Sequence, residues 1–342
     1  MVRVLISALS MLALACGSPS SIDGGAHDAG RDASVAFDGG SDAGVHTSLK
    51  PSNASPASTR SNWPASRAMP ASTPASRPAS ATDGTQAWIV GGGGLLLHRT
   101  VTGDWERADA GGDFTFLTVA VDGLGRVHAG GRTNANTGVI ASSANGVTFV
   151  TVSGTSLGQG VGSIAAAGTR VYASADVIVF LDAGAWDRSM PQPASGFPGS
   201  LAAQGTELFS TGFGAVHHFA DGGWLAEQTG GELQQDVCVS LLERTIVSEH
   251  GYSAQAQRDA GFAWMPWMSF DNEPVGCAYS PNGTLWLAVN SIHLDGGLHG
   301  SVFRSNGNFD FTEWTLPLLR AISASDSEVL VIGADSVWRI SP

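Results

Sequence analysis

Apolar residues in this chain come in short runs that alternate with small or polar ones, and the runs recur. Seven of them follow a Gly-Thr-like turn: AWIVGG at Trp88, RVHAGG at Val127, RVYASA at Val171, ELFSTG at Leu208, TIVSEHG at Ile246, TLWLAV at Leu285 and EVLVIG at Val329. Successive anchors lie 37 to 44 residues apart. Short alternating runs predict strands, and a period near 40 residues is that of a radial array of four-stranded antiparallel blades. The chain is therefore read as an all-β protein, a β-propeller with seven blades, six being the alternative count.

One unit shows the order of elements. GSLAAQ is an inner strand of small residues where blades converge, GT turns the chain, ELFST and AVHHFA are the second and third strands, DGG turns again, and WLAEQ is the outer strand. In such a hairpin Gly accepts the positive φ that a tight turn demands and Asp bonds its own backbone. An aromatic follows the turn in most units, at Trp105, Phe149, Trp186, Trp264 and Trp314, and is expected to pack between neighbouring blades.

The first 77 residues break the pattern. MVRVLISALSMLALA places one Arg ahead of an apolar run too short for a permanent membrane span, and Cys16 follows at once. LALAC resembles the lipobox of bacterial lipoproteins, with Ala13 where that family most often has Leu and Leu14 where a small residue is usual. The resemblance implies that residues 1–15 are a signal peptide and that Cys16 becomes a lipidated N-terminus anchored in a membrane. The other reading is an ordinary secretory signal that ends in Cys. Gly17 is not the Asp associated with inner-membrane retention, which points to the outer membrane of a bacterial envelope.

Residues 16–60 hold too little large apolar surface to offset their ordering entropy and are expected to be a disordered tether. HDAGRDASVAFDGGSDAG, at 27–44, repeats the hairpin tripeptides without flanking strands, so there they are only small and polar. Residues 61–77 form a Pro/Ala/Ser-rich segment, and the propeller spans 78–342. The last unit supplies three strands before the chain ends, leaving an outer strand missing. Around Trp63, SNWPASRAMPAS resembles AWDRSMPQPAS around Trp186, so Ser61 to Arg67 is expected to return and complete that blade. A three-stranded terminal blade with a chance Trp in the linker is the other possibility.

Two segments resemble known propeller families. SSANGVTF, from Ser142 to Phe149, is similar to the Asp-box hairpin of sialidase-like and photosystem-assembly-factor-like propellers, with Ala144 where the Asp should be. VAVDGLGRVHAGG resembles the repeat of bacterial propellers with IAVDGxGNVYVTG-like units. The likeness implies a fold and transfers no function.

Charge excludes one class of partner. With 17 basic and 30 acidic residues the net charge is −13, which repels phosphate backbones, so no nucleic acid is expected. Cys238 and Cys277 each lie eight residues before their anchors, Ile246 and Leu285, in corresponding inner-strand slots of adjacent blades. They are either a disulfide between blades, as an exported protein allows, or two buried thiols.

No catalytic constellation emerges. A sialidase-type site needs an Arg cluster and a Tyr activated by Glu, and the chain has Tyr172, Tyr252 and Tyr279 with no Arg-rich set of inner-strand ends. His217 and His218 are strand neighbours that face opposite ways, so no metal site is assigned, nor any cofactor. The chain is read as a non-catalytic binding or scaffolding module, with a degenerate sialidase-like glycoside hydrolase as the alternative. Loops joining strands two to three and four to one emerge on one face. They contribute Arg132, Asn134, Asn136, Glu232, Asp236, Asp271, Glu273, His293, Asp295 and His299 as candidate contacts. That face is acidic and suits a cationic protein or glycan partner, unless its acids serve only solubility.

Overall fold

The computed structural model describes residues 59–60 and 79–342, except 153–156, 183, 195–198, 242, 249–252, 258–264, 270–273, 293–297, 306–310 and 334–335. Each repeat unit is a four-stranded antiparallel meander. Blade one is Ala79–Thr82, Ala87–Gly91, Leu95–Arg99 and Trp105–Arg107, in that spatial order. Blade two runs from Phe114–Val121 to Val150–Thr151, blade three from Ser163–Ala167 to Ala185–Asp187, and blade six from Pro274–Tyr279 to Phe311–Pro317. Blades four and five share one seven-stranded sheet, because Gly223–Val239 is the outer strand of the fourth and continues as the inner strand of the fifth. Blade seven contributes Leu319–Ala324, Val329–Gly333 and Val337–Ile340. Each inner strand neighbours the next around a closed ring in which Ala79–Thr82 meets Leu319–Ala324. The protein is a seven-bladed β-propeller.

The fourth strand of blade seven comes from the N-terminal side of the chain. Thr59 stands opposite Arg339 and Arg60 opposite Trp338 in an antiparallel pair, so both ends of the propeller seal the ring and Val337–Ile340 is covered by a short fourth strand. The strand lies just before the segment expected from sequence; Ser61 to Arg67 falls outside the described residues.

Blades are held together by a repeated cross-strand pair. Trp88 in the second strand of blade one stacks on His98 in the third, with centroids 5.2 Å apart, and its Nε1 donates to the Gly146 carbonyl of blade two at 3.1 Å. In blade four Phe209 stacks on His218 at 4.4 Å, and in blade six Arg304 lies over Trp286. Aromatics after the second turn reach the same interfaces. Phe149 packs with Trp88, and Trp186 with Ile140 and Leu157 of the preceding blade. Trp264 lies outside the described residues.

The turns follow their residues. Asp221 and Gly222 both take positive φ, 52° and 81°, which closes the two-residue hairpin between Ala220 and Gly223. In SSANGVTF the capping role falls to Asn145 rather than to position 144: its Oδ1 accepts the N–H groups of Val147 at 3.0 Å and Thr148 at 2.9 Å.

At the ring's closing junction Glu328 has no exposed surface. Its carboxylate takes Arg99 of blade one, Arg339 Nε at 2.8 Å and the Thr82 hydroxyl at 2.7 Å. A lone buried carboxylate costs several kcal/mol, so two guanidinium groups converge on it.

Candidate functional site

The inner strands enclose a central recess of about 780 Å³. Small residues make it possible: Ala79, Ala120, Ala165, Ala202, Ala278 and Ala321 line it, as the converging GSLAAQ-type strands imply. An inner strand has no ladder partner on the axial side, and its N–H groups there need acceptors. The preceding blade supplies them. Ile164 N–H donates to Thr118 Oγ1 at 3.0 Å, Leu201 N–H to Ser163 Oγ at 2.9 Å, and Cys277 N–H to Asp236 Oδ2 at 3.2 Å. Ser80 and Ser323 join blades one and seven through their hydroxyls at 3.0 Å.

Asp236 is the exception in this polar collar, a carboxylate where other junctions use a hydroxyl. Its Oδ1 also accepts the Ser200 hydroxyl at 2.6 Å and the Val237 N–H at 2.9 Å, so one side chain ties blades four, five and six. It keeps a little surface on the recess while protein surrounds the carboxyl. That burial raises its pKa above the usual carboxylate range, against hydrogen bonds from Ser200, Cys277 and Val237 that pull it down.

Four inner strands carry a β-bulge at the same place, with register shifts between Phe116 and Thr118, Gln234 and Asp236, Pro274 and Gly276, and Leu319 and Ala321. A bulge re-aims the residues beside it. Arg320 is the extra residue in blade seven; among the described residues lining the recess it is the one cation and Asp236 the one carboxylate. Sequence reading missed Arg320, because the Arg within LLRAIS carries no sign that the ladder skips it.

Cys238 and Cys277 stand on the inner strands of blades five and six with Cα atoms 6.0 Å apart, and their sulfurs form a disulfide. Both are buried in the recess wall, and Asp236 lies beside them.

One constellation looks catalytic on paper. Ser142 Oγ is 2.9 Å from His128 Nδ1, and His128 Nε2 is 3.3 Å from Asp122 Oδ2. His128 is 1% exposed with the Trp186 edge against it, and Asp122 also receives Arg126 Nε at 2.7 Å and the N–H groups of Leu124 and Arg126. These contacts fix the first hairpin of blade two and make the chain architectural. Burial drives the His128 pKa below its usual value, only partly opposed by Asp122. For Asp122 burial acts upward, but the bonds from Arg126, His128 and Leu124 win and hold its pKa down.

His217 and His218 take separate environments. His218 lies 3.4 Å from both Glu207 and Glu227, and burial lowers the pKa of His217.

The candidate loop contacts divide. Arg132 Nη1 donates to Asn136 Oδ1 at 3.2 Å, Asn136 adopts φ 62°, and Asn134 Nδ2 donates to Asp113 Oδ2 at 3.2 Å, so these three build one ordered loop. His299 is paired opposite Ser291 and Pro317 at the loop-side end of blade six. Two placements are corrected. TGGELQQD is no loop: Glu232 lies within the continuous strand Gly223–Val239, where Phe213 pairs with Leu233, because pairing persists to the point where the chain turns inward. Asp236 belongs to the recess wall rather than to a surface loop. Asp271, Glu273, His293 and Asp295 fall outside the described residues.

No protein-family model matches the chain, and no curated protein matches it in sequence. Solved structures do match in fold. The WD40 β-propeller domain of Doa1 is similar with TM-score 0.63 at 11% identity, over 84% of this chain and 97% of that one. The WD40 repeats of RRP9 give 0.61 at 10% identity, over 83% and 99%, and U3-55K gives 0.58 at 12% identity, over 81% and 99%. At such identities the likeness concerns the fold.

Proposed function

We propose that this protein is a bacterial envelope lipoprotein, held by a lipidated Cys16 on the outer membrane, whose propeller is a non-catalytic module for binding a protein or glycan. The observation that carries the binding role is the asymmetry of the ring. Among the described residues, one face carries tight hairpins such as Asp221–Gly222. The other combines the ordered Arg132–Asn136 loop with a polar recess that holds one carboxyl, Asp236, and one guanidinium, Arg320. Irregular loops on a rigid scaffold are where binding residues concentrate. The WD40 propellers of RRP9 and Doa1 share the architecture, and a net charge of −13 favours a cationic partner.

Growing cells with an alkyne-bearing fatty acid tests the anchor: label is expected on the wild type and absent from Cys16→Ser. In-cell crosslinking then compares the wild type with a chain whose loop 133–137 is replaced by a short glycine turn and with Arg320→Ala. Loss of a specific crosslinked partner in both variants supports the binding face. Retention in both, or turnover of a glycoside panel by the wild type, overturns the reading, the latter in favour of a hydrolase.

A further inference from the structure

Among the described residues, the large apolar side chains left exposed gather on one side of the ring. Val101 and Leu124 sit in hairpin turns of blades one and two, 75% and 64% exposed, and Leu241 in the first turn of blade five, 80% exposed. Val147, Val150 and Leu225 lie just after the second turns of blades two and four. In an antiparallel meander these turns all fall on one face, and the loop side shows no such residue among those described. Single exposed apolar residues are ordinary; their segregation to one face is not.

Chain direction is a second, independent observation. The third strand of blade seven, Val337–Ile340, runs toward the hairpin face, and Thr59–Arg60 is antiparallel to it. The chain therefore enters the propeller from the hairpin face. Residues 17–58 precede that entry, and a Gly/Ser-type chain of this length spans about 35 Å r.m.s..

We propose that the hairpin face is a membrane-resting surface, with the apolar turn tips seated on a net-neutral lipid bilayer and the loop face and recess mouth turned away from it. This inference rests on the lipid-anchored reading of Cys16. A handful of Val and Leu side chains binds a bilayer weakly when free in solution. A tether of this length raises their effective concentration at the surface to the order of millimolar, at which weak contacts become populated. The hairpin ends on this face carry Asp83, Asp104, Asp182, Asp221 and Asp326 against Arg126 and Arg170, so anionic lipid is disfavoured and zwitterionic lipid is the matching surface.

The test supplies the anchor chemically. Mature chain beginning at Cys16 is coupled through that thiol to maleimide-lipid in phosphatidylcholine vesicles, and amide hydrogen exchange is compared with uncoupled protein. Expected is at least a threefold slowing at turns 101–104, 122–126 and 240–244, none at loop 133–137, and loss of the slowing in the still-coupled triple variant Val101→Ser, Leu124→Ser, Leu241→Ser. Vesicles rich in phosphatidylglycerol are expected to give less slowing. Unchanged exchange at the turns, slowing at 133–137 instead, slowing that survives the triple variant, or equal slowing on both lipids overturns the proposal. Because coupling does not depend on cellular lipidation, those outcomes judge the surface, whereas fatty-acid labelling of Cys16 judges the anchor.

Discussion

The backbone N–H of Cys277 donates to Asp236 Oδ2 at 3.2 Å, across the same junction that the Cys238–Cys277 disulfide spans. Blades five and six are thus joined twice within a few residues, once covalently and once through a carboxyl that also holds Ser200 of blade four. Hydroxyls serve the junctions at Thr118 and Ser163 with one donor each. A carboxyl serves three donors from three blades, at the cost of placing an ionisable group where burial opposes its charge.

Asp236→Asn therefore has a pH signature. The folded-state pKa of Asp236 is raised, so its contribution to stability is fully present below the unfolded carboxylate value and is lost as pH rises through the folded value. Asn does not titrate and turns an amide donor toward one of the existing donors, which costs about 1–3 kcal/mol. Chemical denaturation from pH 4 to 8 is expected to show the wild-type advantage largest in acid and shrinking upward. An advantage constant with pH would contradict this account.

The disulfide closes a loop of sequence separation 39, for which the chain-entropy relation gives about 4 kcal/mol. Reductant is expected to lower the wild-type Tm by several degrees. The Cys238→Ser, Cys277→Ser double variant is expected to melt low with or without reductant.

The closing strand separates two truncations. Removing residues 17–52 is expected to leave Tm unchanged, whereas removing 17–60 deletes the partner of Arg339 and Trp338 and bares an edge. The second truncation is expected to lose about 1–2 kcal/mol, the scale of a pair of ladder hydrogen bonds. Differential scanning calorimetry of both proteins decides it.

Glu328→Gln leaves Arg99, whose side chain is 7% exposed, without a counter-charge at the junction between blades seven and one. Breaking one partner of a buried ion pair costs about 3–5 kcal/mol. Urea denaturation is expected to report a loss in that range. For Arg339→Ala, whose side chain is 46% exposed, the expected loss is below 1 kcal/mol.

Acid sensitivity should begin with histidine rather than with carboxylates. Burial holds the pKa values of His98, His128 and His217 below the usual 6.5. Groups with depressed folded values contribute stability above the unfolded pKa and lose it as pH falls toward the folded value. Tm is expected to decline from about pH 6.5 downward, and His128→Asn is expected to flatten that decline. A Tm flat between pH 7.5 and 5 would show that these rings accept protons at little cost.

Strand order and hairpin chemistry belonged to the sequence alone; the seven repeats were legible there too, but the ring contacts of the tertiary structure decided seven blades over six. A turn such as Asp221–Gly222 is settled by φ preferences within two residues, and the alternation that follows is settled by which side chains must leave water, so both repeat legibly along the chain. The tertiary structure decided what depends on residues far apart: that Thr59 pairs with Arg339, that Gly223–Val239 runs unbroken through what reads as a loop, and that Asp236 faces the recess. Each of those outcomes is a competition among long-range partners, won by one ladder register or one bulge, and a register shift of a single residue reverses the side to which every following side chain points.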